Sequence, residues 1–207
     1  MSPNDAARRF AMAWFAAAAI SAAAACTSSH ARSLPRAAEV SQTGEEHSVL
    51  VHDFTQGLYG VRALNSAVKL RVDRDSNVGD EQVLVIDYPA PDADPASRDV
   101  AFDVENRNWT SGHALQLRLK PSHPIRISVS WLDRNRVAYT WWSDLRDAGW
   151  QTIRVPFGEI KPNPYFQPPG AKLGSSLDVS DVRYMALSPQ DSSSGELAIA
   201  RISVVKQ

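Results

Sequence analysis

Residues 131–157 read WLDRNRVAYTWWSDLRDAGWQTIRVPF, and this stretch decides the fold. It predicts three strands, the first ending at residue 132, the second spanning residues 137–142 and the third residues 150–155. In the second strand the side chains of Val137, Tyr139 and Trp141 point to one side. Those of Ala138, Thr140 and Trp142 point to the other. A period of two is typical of half-buried β-strands.

The same alternation recurs on both sides of this stretch. Apolar residues alternate with polar ones at 68–73, 100–105, 115–120 and 125–132, and further strands are predicted at 49–54, 83–88, 182–187 and 197–205. Thirteen prolines and ten glycines fall mostly between these runs, and no helical period is sustained after residue 48. About ten short strands separated by turn residues predict an all-β chain folded as a β-sandwich.

The composition and motifs argue against several function classes. Lys and Arg total 22 against 23 Asp and Glu, so no basic excess favours nucleic acid as a partner. No His pair has the spacing of a zinc hydrolase, and no nucleophile elbow or phosphate-binding glycine loop is present. Asp133, Asp144 and Asp147 lie in polar turns, where solvated acids are expected. A non-enzyme is therefore predicted, with a glycan-active enzyme as a remaining alternative because two catalytic carboxylates can come from distant strands.

The N-terminus has the layout of a targeting segment. Arg8 and Arg9 precede an apolar run at residues 10–20, and small residues follow at 21–25, which predicts a signal peptide over residues 1–25. The only cysteine, Cys26, comes next and resembles the lipid-attachment site of a bacterial lipoprotein; an ordinary signal peptide with an incidental cysteine is the alternative. Residues 26–47 are polar and aperiodic, as in a flexible tether. We therefore expect an exported protein of the cell envelope, anchored by lipid and facing the periplasm or the outside.

Seven short pieces between residues 48 and 206 resemble a known family in their order and spacing. They are Val51–Phe54, Val83–Asp87, Asn106–Trp109, Leu115–Lys120, Ile125–Asp133, Gly149–Phe157 and Gly195–Ile199. They resemble the galactose-binding-like jelly rolls, in particular family 11 carbohydrate-binding modules and the related CIA30 domains, in which a strand of the form G-W-x-x-(I/V)-x-(V/I)-P-F recurs.

The resemblance implies a jelly-roll β-sandwich of two antiparallel sheets over residues 48–207, with no active site. Many relatives bind a glycan chain on the concave sheet. Many also hold a structural calcium ion with a carboxylate in the last strand, but that position here lies in the run Ile199–Ile202, which has an arginine and no acid. Asp53 and Glu196, near the first and last strands, could still contribute to a structural calcium site, but two scattered acids make a weak one, so no cofactor is expected.

A sugar is bound by an aromatic ring against its C–H face and by polar groups that read its hydroxyls. If the apolar residues of the middle strands face the core, the opposite positions form one polar sheet face. The predicted ligand-binding residues on that face are Arg118, Arg126, Ser128, Ser130, Thr140, Trp142 and Arg154. Arginines on a sheet face are also commonly just solvated, and Trp142 could equally pack against the loop at residues 158–178.

Three other aromatic features have simpler interpretations. Trp109 is predicted to anchor a loop in the core, and Trp150 is predicted to lie in the core at the start of its strand. Tyr165 and Phe166 lie among four prolines and form either an exposed platform or a plug for one end of the sandwich. The sequence thus predicts a non-catalytic domain that binds a polysaccharide or oligosaccharide, with a protein-interaction module on the same fold as the alternative.

Overall fold

The structure is a computed structural model, and it describes residues 48–91, 98–174, 176–190 and 192–206. The predicted signal peptide, Cys26 and the tether lie outside the described residues. Among the residues that are described, no helix has the length and apolar character needed to span a membrane.

The described part of the chain contains twelve strands and two single-turn 3-10 helices. The strands are β1 (Ser48–His52), β2 (Val61–Ala63), β3 (Lys69–Asp75), β4 (Glu81–Tyr88), β5 (Val100–Phe102), β6 (Gly112–Pro121), β7 (Ile125–Asp133), β8 (Ala138–Leu145), β9 (Gln151–Pro156), β10 (Lys161–Pro162), β11 (Val182–Pro189) and β12 (Gly195–Lys206). The helices are Ser76–Val78 and Phe157–Glu159.

The strands form two antiparallel sheets. Sheet A has the order β3-β4-β12-β6-β9, with β1 also paired to β12, and sheet B has the order β10-β8-β7-β11-β5-β2. The predicted β-sandwich is therefore confirmed. Two strands were not predicted, since β2 has three residues and β10 only two, which is too short for an alternating pattern to show.

The core fills the space between the two sheets. Sheet A contributes Leu117 and Ile199, and sheet B contributes Trp131 and Tyr139, all at most 1% exposed. Burial of each such side chain stabilises the fold by about 1.5–3 kcal/mol. The central strand β4 is covered on both faces, because Val83 and Val85 pack on the outer side of sheet A in a second, smaller cluster.

The stretch that decides the fold spans both sheets. Its first two strands form the predicted hairpin: β7 pairs with β8, and Ser130 faces Thr140 across it. Its third strand, β9, pairs with β6 in sheet A instead. Residues 131–157 therefore contribute strands to both sheets, which the sequence pattern did not reveal.

The two tryptophans assigned to the core have different positions. Trp109 is 1% exposed, donates its indole N–H to the carbonyl of Asn106 and stacks on Phe157, as predicted for a loop anchor. The prediction for Trp150 is wrong: it is only partly buried and lies on the outer side of sheet A with the small cluster. Its position is even, like those of the outward-facing Thr152 and Arg154, so the period of two places it outside.

Candidate functional site

The seven predicted ligand-binding residues do not lie on one face. Five of them, Arg126, Ser128, Ser130, Thr140 and Trp142, point outward from sheet B. Arg118 and Arg154 point outward from sheet A instead. The prediction of a single face is wrong because the link at residues 122–124, interpreted as a turn between neighbouring strands, carries the chain from sheet A to sheet B.

The middle of the outward face of sheet B is a floor of small side chains. This floor consists of Ala101, Ser128, Ser130, Thr140, Ala186 and Ser188, contributed by β5, β7, β8 and β11. None of the six is more than 7% exposed although all point away from the core. The Thr140 hydroxyl is buried and has no hydrogen-bond partner in the described part of the chain, which is costly for a polar group. The floor is therefore polar but nearly closed to solvent, and the Gln190 side chain donates a hydrogen bond to the Ser128 hydroxyl on it at 3.1 Å.

One corner of the floor carries an aromatic ring beside an ion pair. Trp142 faces Ser128 across the β7–β8 pair and is 41% exposed. In the next outward position, Arg126 Nε lies 2.8 Å from Asp144 Oδ1. This hydrogen bond lowers the pKa of Asp144 and raises that of Arg126, so both groups are charged at neutral pH. The corner combines a flat apolar surface with hydrogen-bonding groups.

The diagonally opposite corner repeats this combination. Tyr184 on β11 lies about 13 Å from Trp142 along the strands and about 10 Å across them. Burial and then the charge of Asp99 raise the pKa of Tyr184, and the charge of Arg62 lowers it by less. The phenol therefore stays protonated at neutral pH and can donate a hydrogen bond. Arg62 is itself ion-paired with Asp103 on this side.

Four residues of these corners were missed by sequence reasoning. They are Arg62, Asp103, Asp144 and Tyr184. Tyr184 could have been found, because Met185 and Leu187 alternate with it as core residues of β11. Asp144 could have been found too, since it continues the outward series of Thr140 and Trp142. Arg62 gave no usable signal, because its strand has only three residues.

The loops at the two edges of sheet B carry the most exposed aromatic side chains of the described chain. Tyr59 precedes the edge strand β2 and is 65% exposed; Tyr165 follows the opposite edge strand β10 and is 76% exposed. Asn163 accepts hydrogen bonds from the amide of Tyr165, and Gln167 bonds both the N–H and the carbonyl of Ala138 on β8. Tyr165 is thus presented by an anchored loop, which agrees with a platform rather than a plug.

The outward face of sheet A is different, because one half of it is cross-linked by charges. Arg71 bonds Asp73, Asp87 and Glu196, joining β3, β4 and β12. Asp75 accepts hydrogen bonds from Lys120 at 2.8 Å and from the Trp150 indole at 3.2 Å. A shallow pocket of about 270 Å³ lies over Val83, Val85 and Ala198, and its charged lining includes Arg71, Asp73, Asp75, Lys120 and Glu196. We interpret this half as a structural network.

We expect the Asp75→Ala variant to have a lower melting temperature than the unchanged protein at pH 7. The ammonium of Lys120 and then the amide of Asn77 hold the pKa of Asp75 well below its usual range. Since the unfolded-state pKa is about 3.9, the carboxylate stabilises the fold above that pH and loses this contribution as the pH falls. Thermal melts should show that the difference in melting temperature between the variant and the unchanged protein becomes smaller below about pH 4. A difference that stayed constant down to pH 2.5, or an equal loss in the exposed control Asp147→Ala, would contradict the assignment.

The acids left for a structural calcium ion do not fit one. Asp53 follows β1, which pairs with the second half of β12. Glu196 lies at the start of β12, about 17 Å along the strand from Arg201, so the two acids are far apart. Glu196 is bonded to Arg71 and Asp53 to Thr55. The described residues contain no cluster of three or more potential metal ligands.

Comparison with solved structures identifies the architecture. No family model and no curated protein matches the sequence. The described chain superposes on the family 11 carbohydrate-binding module of a cellulosomal cellulase from Clostridium thermocellum with a TM-score of 0.60 and 16% identity, covering 79% of this chain and 97% of that one.

The sandwich has a carbohydrate-binding-module fold. A family 30 carbohydrate-binding module matches at a TM-score of 0.56 and 10% identity, covering 79% of this chain and 89% of that one. An exo-β-agarase matches at 0.59 and 11% identity, but there the chain corresponds to only 26% of the enzyme. The jelly-roll fold that the resemblance implied is therefore confirmed.

Proposed function

We propose that the domain binds a neutral glycan on the outward face of sheet B and breaks no bond. The observation that carries this proposal is the pair of corners around the floor, each with an aromatic ring beside an arginine–carboxylate pair. Aromatic faces contact the C–H surface of a sugar, and the charged groups at the two corners can bond its hydroxyls. The fold supports the proposal, because one solved family 11 module contains a β-1,3-1,4-linked tetrasaccharide.

The electrostatics of the face favour an uncharged ligand. Arg126 is neutralised by Asp144 and Arg62 by Asp103, so the outward face offers hydrogen-bonding groups without a net positive field. An anionic sugar would have to compete with these carboxylates for the arginines and would be repelled by them. A hydroxyl group, in contrast, can bond to an ion pair without separating it.

A screen of the purified chain against soluble polysaccharides tests this proposal. We expect binding to at least one neutral glucan or galactan and at least tenfold weaker binding to anionic polymers of the same length. Binding measured by affinity electrophoresis or calorimetry should depend little on salt, because no net charge is neutralised. If the folded protein binds none of the neutral glycans, the proposal is rejected, and the protein-interaction module becomes the next hypothesis.

We further propose that the protein is exported and anchored by lipid at Cys26, as the N-terminal pattern indicates. Such an anchor would hold the binding face in the cell envelope, where polysaccharides are available. Mass spectrometry of the mature protein from a bacterial host tests this: a diacylated N-terminal cysteine supports it, and an unmodified chain that begins elsewhere rejects it.

Cleavage of a glycan during incubation with the protein would support the remaining alternative, an enzyme.

A further inference from the structure

A glutamine completes the corner that Trp142, Arg126 and Asp144 form on the outward face of sheet B. Gln190 directly follows β11, and its backbone N–H donates to the carbonyl of Arg126 at 2.7 Å, which continues the pairing of β11 with β7 by one position. Because Ser188 points outward and the period of a strand is two, Gln190 lies on the same side. The residue is exposed, so it stands at the border of the proposed glycan site and is open to solvent.

Three polar side chains form a row across three neighbouring strands. Asp144 on β8 faces Arg126 on β7, and Gln190 lies beside Arg126 on its other side. We name Asp144, Arg126 and Gln190 the polar row. With strands about 4.8 Å apart, the row spans about 10 Å. Trp142 and Ser128 occupy the next outward positions, about 7 Å along the strands. The polar row therefore runs beside the tryptophan that a sugar would contact.

The Gln190 side chain is held in place although it is exposed. Its Nε2 donates a hydrogen bond to Ser128 Oγ at 3.1 Å, and Ser128 is the residue that faces Trp142. This bond brings the amide from its own row toward the tryptophan. Within the described residues the Gln190 side chain makes this one hydrogen bond, so its amide oxygen and its second N–H are available to a ligand. A side chain that is fixed before binding loses less conformational freedom on binding.

The turn that carries Gln190 is fastened on its far side as well. Ser193 Oγ lies 2.8 Å from His123 Nε2. The amide of Glu196 donates to Ser122 Oγ at 3.0 Å. Both partners belong to the link between β6 and β7, which leads directly into the strand of the polar row. Contacts on both sides of Gln190 therefore restrict where its side chain can lie.

The polar row can distinguish free hydroxyl groups from substituted ones. An ionised carboxylate only accepts hydrogen bonds, a guanidinium only donates them, and an amide does both. A hydroxyl group both donates and accepts, so the hydroxyl-bearing edge of a sugar matches all three members of the row. A methyl ether has no proton to donate to Asp144 or to the amide oxygen of Gln190. A site built to bond a hydroxyl group rejects a ligand that leaves its polar groups unpaired.

We propose that Gln190 is a specificity-determining residue of the glycan site. Its amide binds a hydroxyl group of the sugar unit that stacks on Trp142, and the polar row selects a unit whose hydroxyl groups on that edge are free. This inference rests on the proposed binding of a neutral glycan to sheet B, and it names the part of the glycan that is read there.

The test measures the affinity of the full chain by calorimetric titration with a soluble β-1,3-glucan, a β-1,3-1,4-glucan and a β-1,4-galactan. For a probe that the unchanged protein binds, Gln190→Met should weaken binding by about tenfold, because methionine keeps the length of the side chain but lacks the amide. Ser128→Ala should weaken binding by about threefold, because the amide remains but is no longer held.

Gln116→Met is the matched control. It also removes a hydrogen-bonded glutamine side chain from an outward sheet face, but Gln116 lies on sheet A, where it accepts from Arg154 Nε at 3.2 Å. Its affinity for the same probe should stay within about twofold of that of the unchanged protein. The melting temperature of Gln190→Met should stay within about 2 °C, because the residue is exposed.

A second measurement separates recognition of hydroxyl groups from an effect on folding. The unchanged protein should bind a partly O-methylated form of the same probe about tenfold more weakly than the free form. In Gln190→Met the ratio of these two affinities should be smaller by about threefold or more, because the amide no longer contributes to the difference. A residue with a purely structural role would leave the ratio unchanged.

Two outcomes would overturn the role of Gln190 while the glycan proposal stands. In the first, the unchanged protein binds a probe and Gln190→Met binds it equally well. In the second, the preference for the free over the methylated probe is the same in both proteins. A fall in melting temperature with full affinity belongs to the first outcome and would show that the amide only covers Ser128. If none of the three probes binds, the glycan proposal fails and this inference fails with it.

Discussion

Replacing Trp142 by alanine should weaken glycan binding by about 30-fold or more and leave the fold intact. Trp142 is the largest exposed ring on the outward face of sheet B, and its neighbours across the strand are floor residues rather than core residues. Aromatic anchors of a binding surface typically contribute about 2 kcal/mol or more, which is about 30-fold in the dissociation constant. Because the side chain is 41% exposed, its removal leaves no buried cavity.

Trp150→Ala is the matched control for this prediction. Trp150 is also a partly accessible tryptophan, but it lies on sheet A, where it contacts Lys120 and bonds Asp75. Its removal should lower the melting temperature and leave the affinity for glycan within twofold. Calorimetric titration of both variants with the same oligosaccharide gives the comparison. Full affinity in Trp142→Ala would contradict the prediction. A loss of affinity in Trp150→Ala alone would move the glycan site to sheet A.

Replacing Asp133 by alanine should destabilise the domain by about 3–5 kcal/mol. The Asp133 side chain is 0% exposed and accepts hydrogen bonds from the amides of Asn135, Val137 and Asp178 and from the Tyr139 hydroxyl. Each buried donor left without a partner costs about 1–3 kcal/mol. For a domain of this size the loss corresponds to a fall of about 10 °C in melting temperature.

Asp133→Asn is the sharper variant of the same experiment. One amide oxygen can still accept from Asn135 and Val137, but the amide nitrogen then faces the N–H of Asp178 as donor against donor. We expect a loss of about 1–2 kcal/mol, between the unchanged protein and Asp133→Ala. Urea unfolding measures both values. A loss below about 1 kcal/mol in Asp133→Ala would show that water replaces the carboxylate and that the site is not a structural anchor.

The alternation of single strands could be predicted from the sequence because it depends on local geometry. Ser130, Thr140 and Trp142 were assigned to the side away from the core, and the structure confirms this. The prediction that Trp150 lies in the core departed from this pattern, because its even position already placed it on the outward side. The period of two decides the face of a strand, not the sheet to which the strand belongs.

The pairing of the strands could not be predicted, because it depends on contacts between residues far apart in sequence. A short link such as residues 122–124 usually joins neighbours in one sheet, but here β6 pairs with β12 and β9 while β7 pairs with β8 and β11. The same crossing occurs between β8 and β9. Arg118 and Arg154 were therefore assigned to a face that they do not share with Arg126. The position of Arg62, on a strand of only three residues, became visible only in the folded chain.

The central claim is that glycan binds to the outward face of sheet B, and mapping of amide chemical shifts during a glycan titration tests it most directly. The proposal predicts that the shifted amides cluster at Ser128, Ser130, Thr140, Trp142 and Tyr184, with those of β6 and β9 unchanged. Shifts confined to Arg118, Arg154 and their strands would contradict it and move the binding site to sheet A.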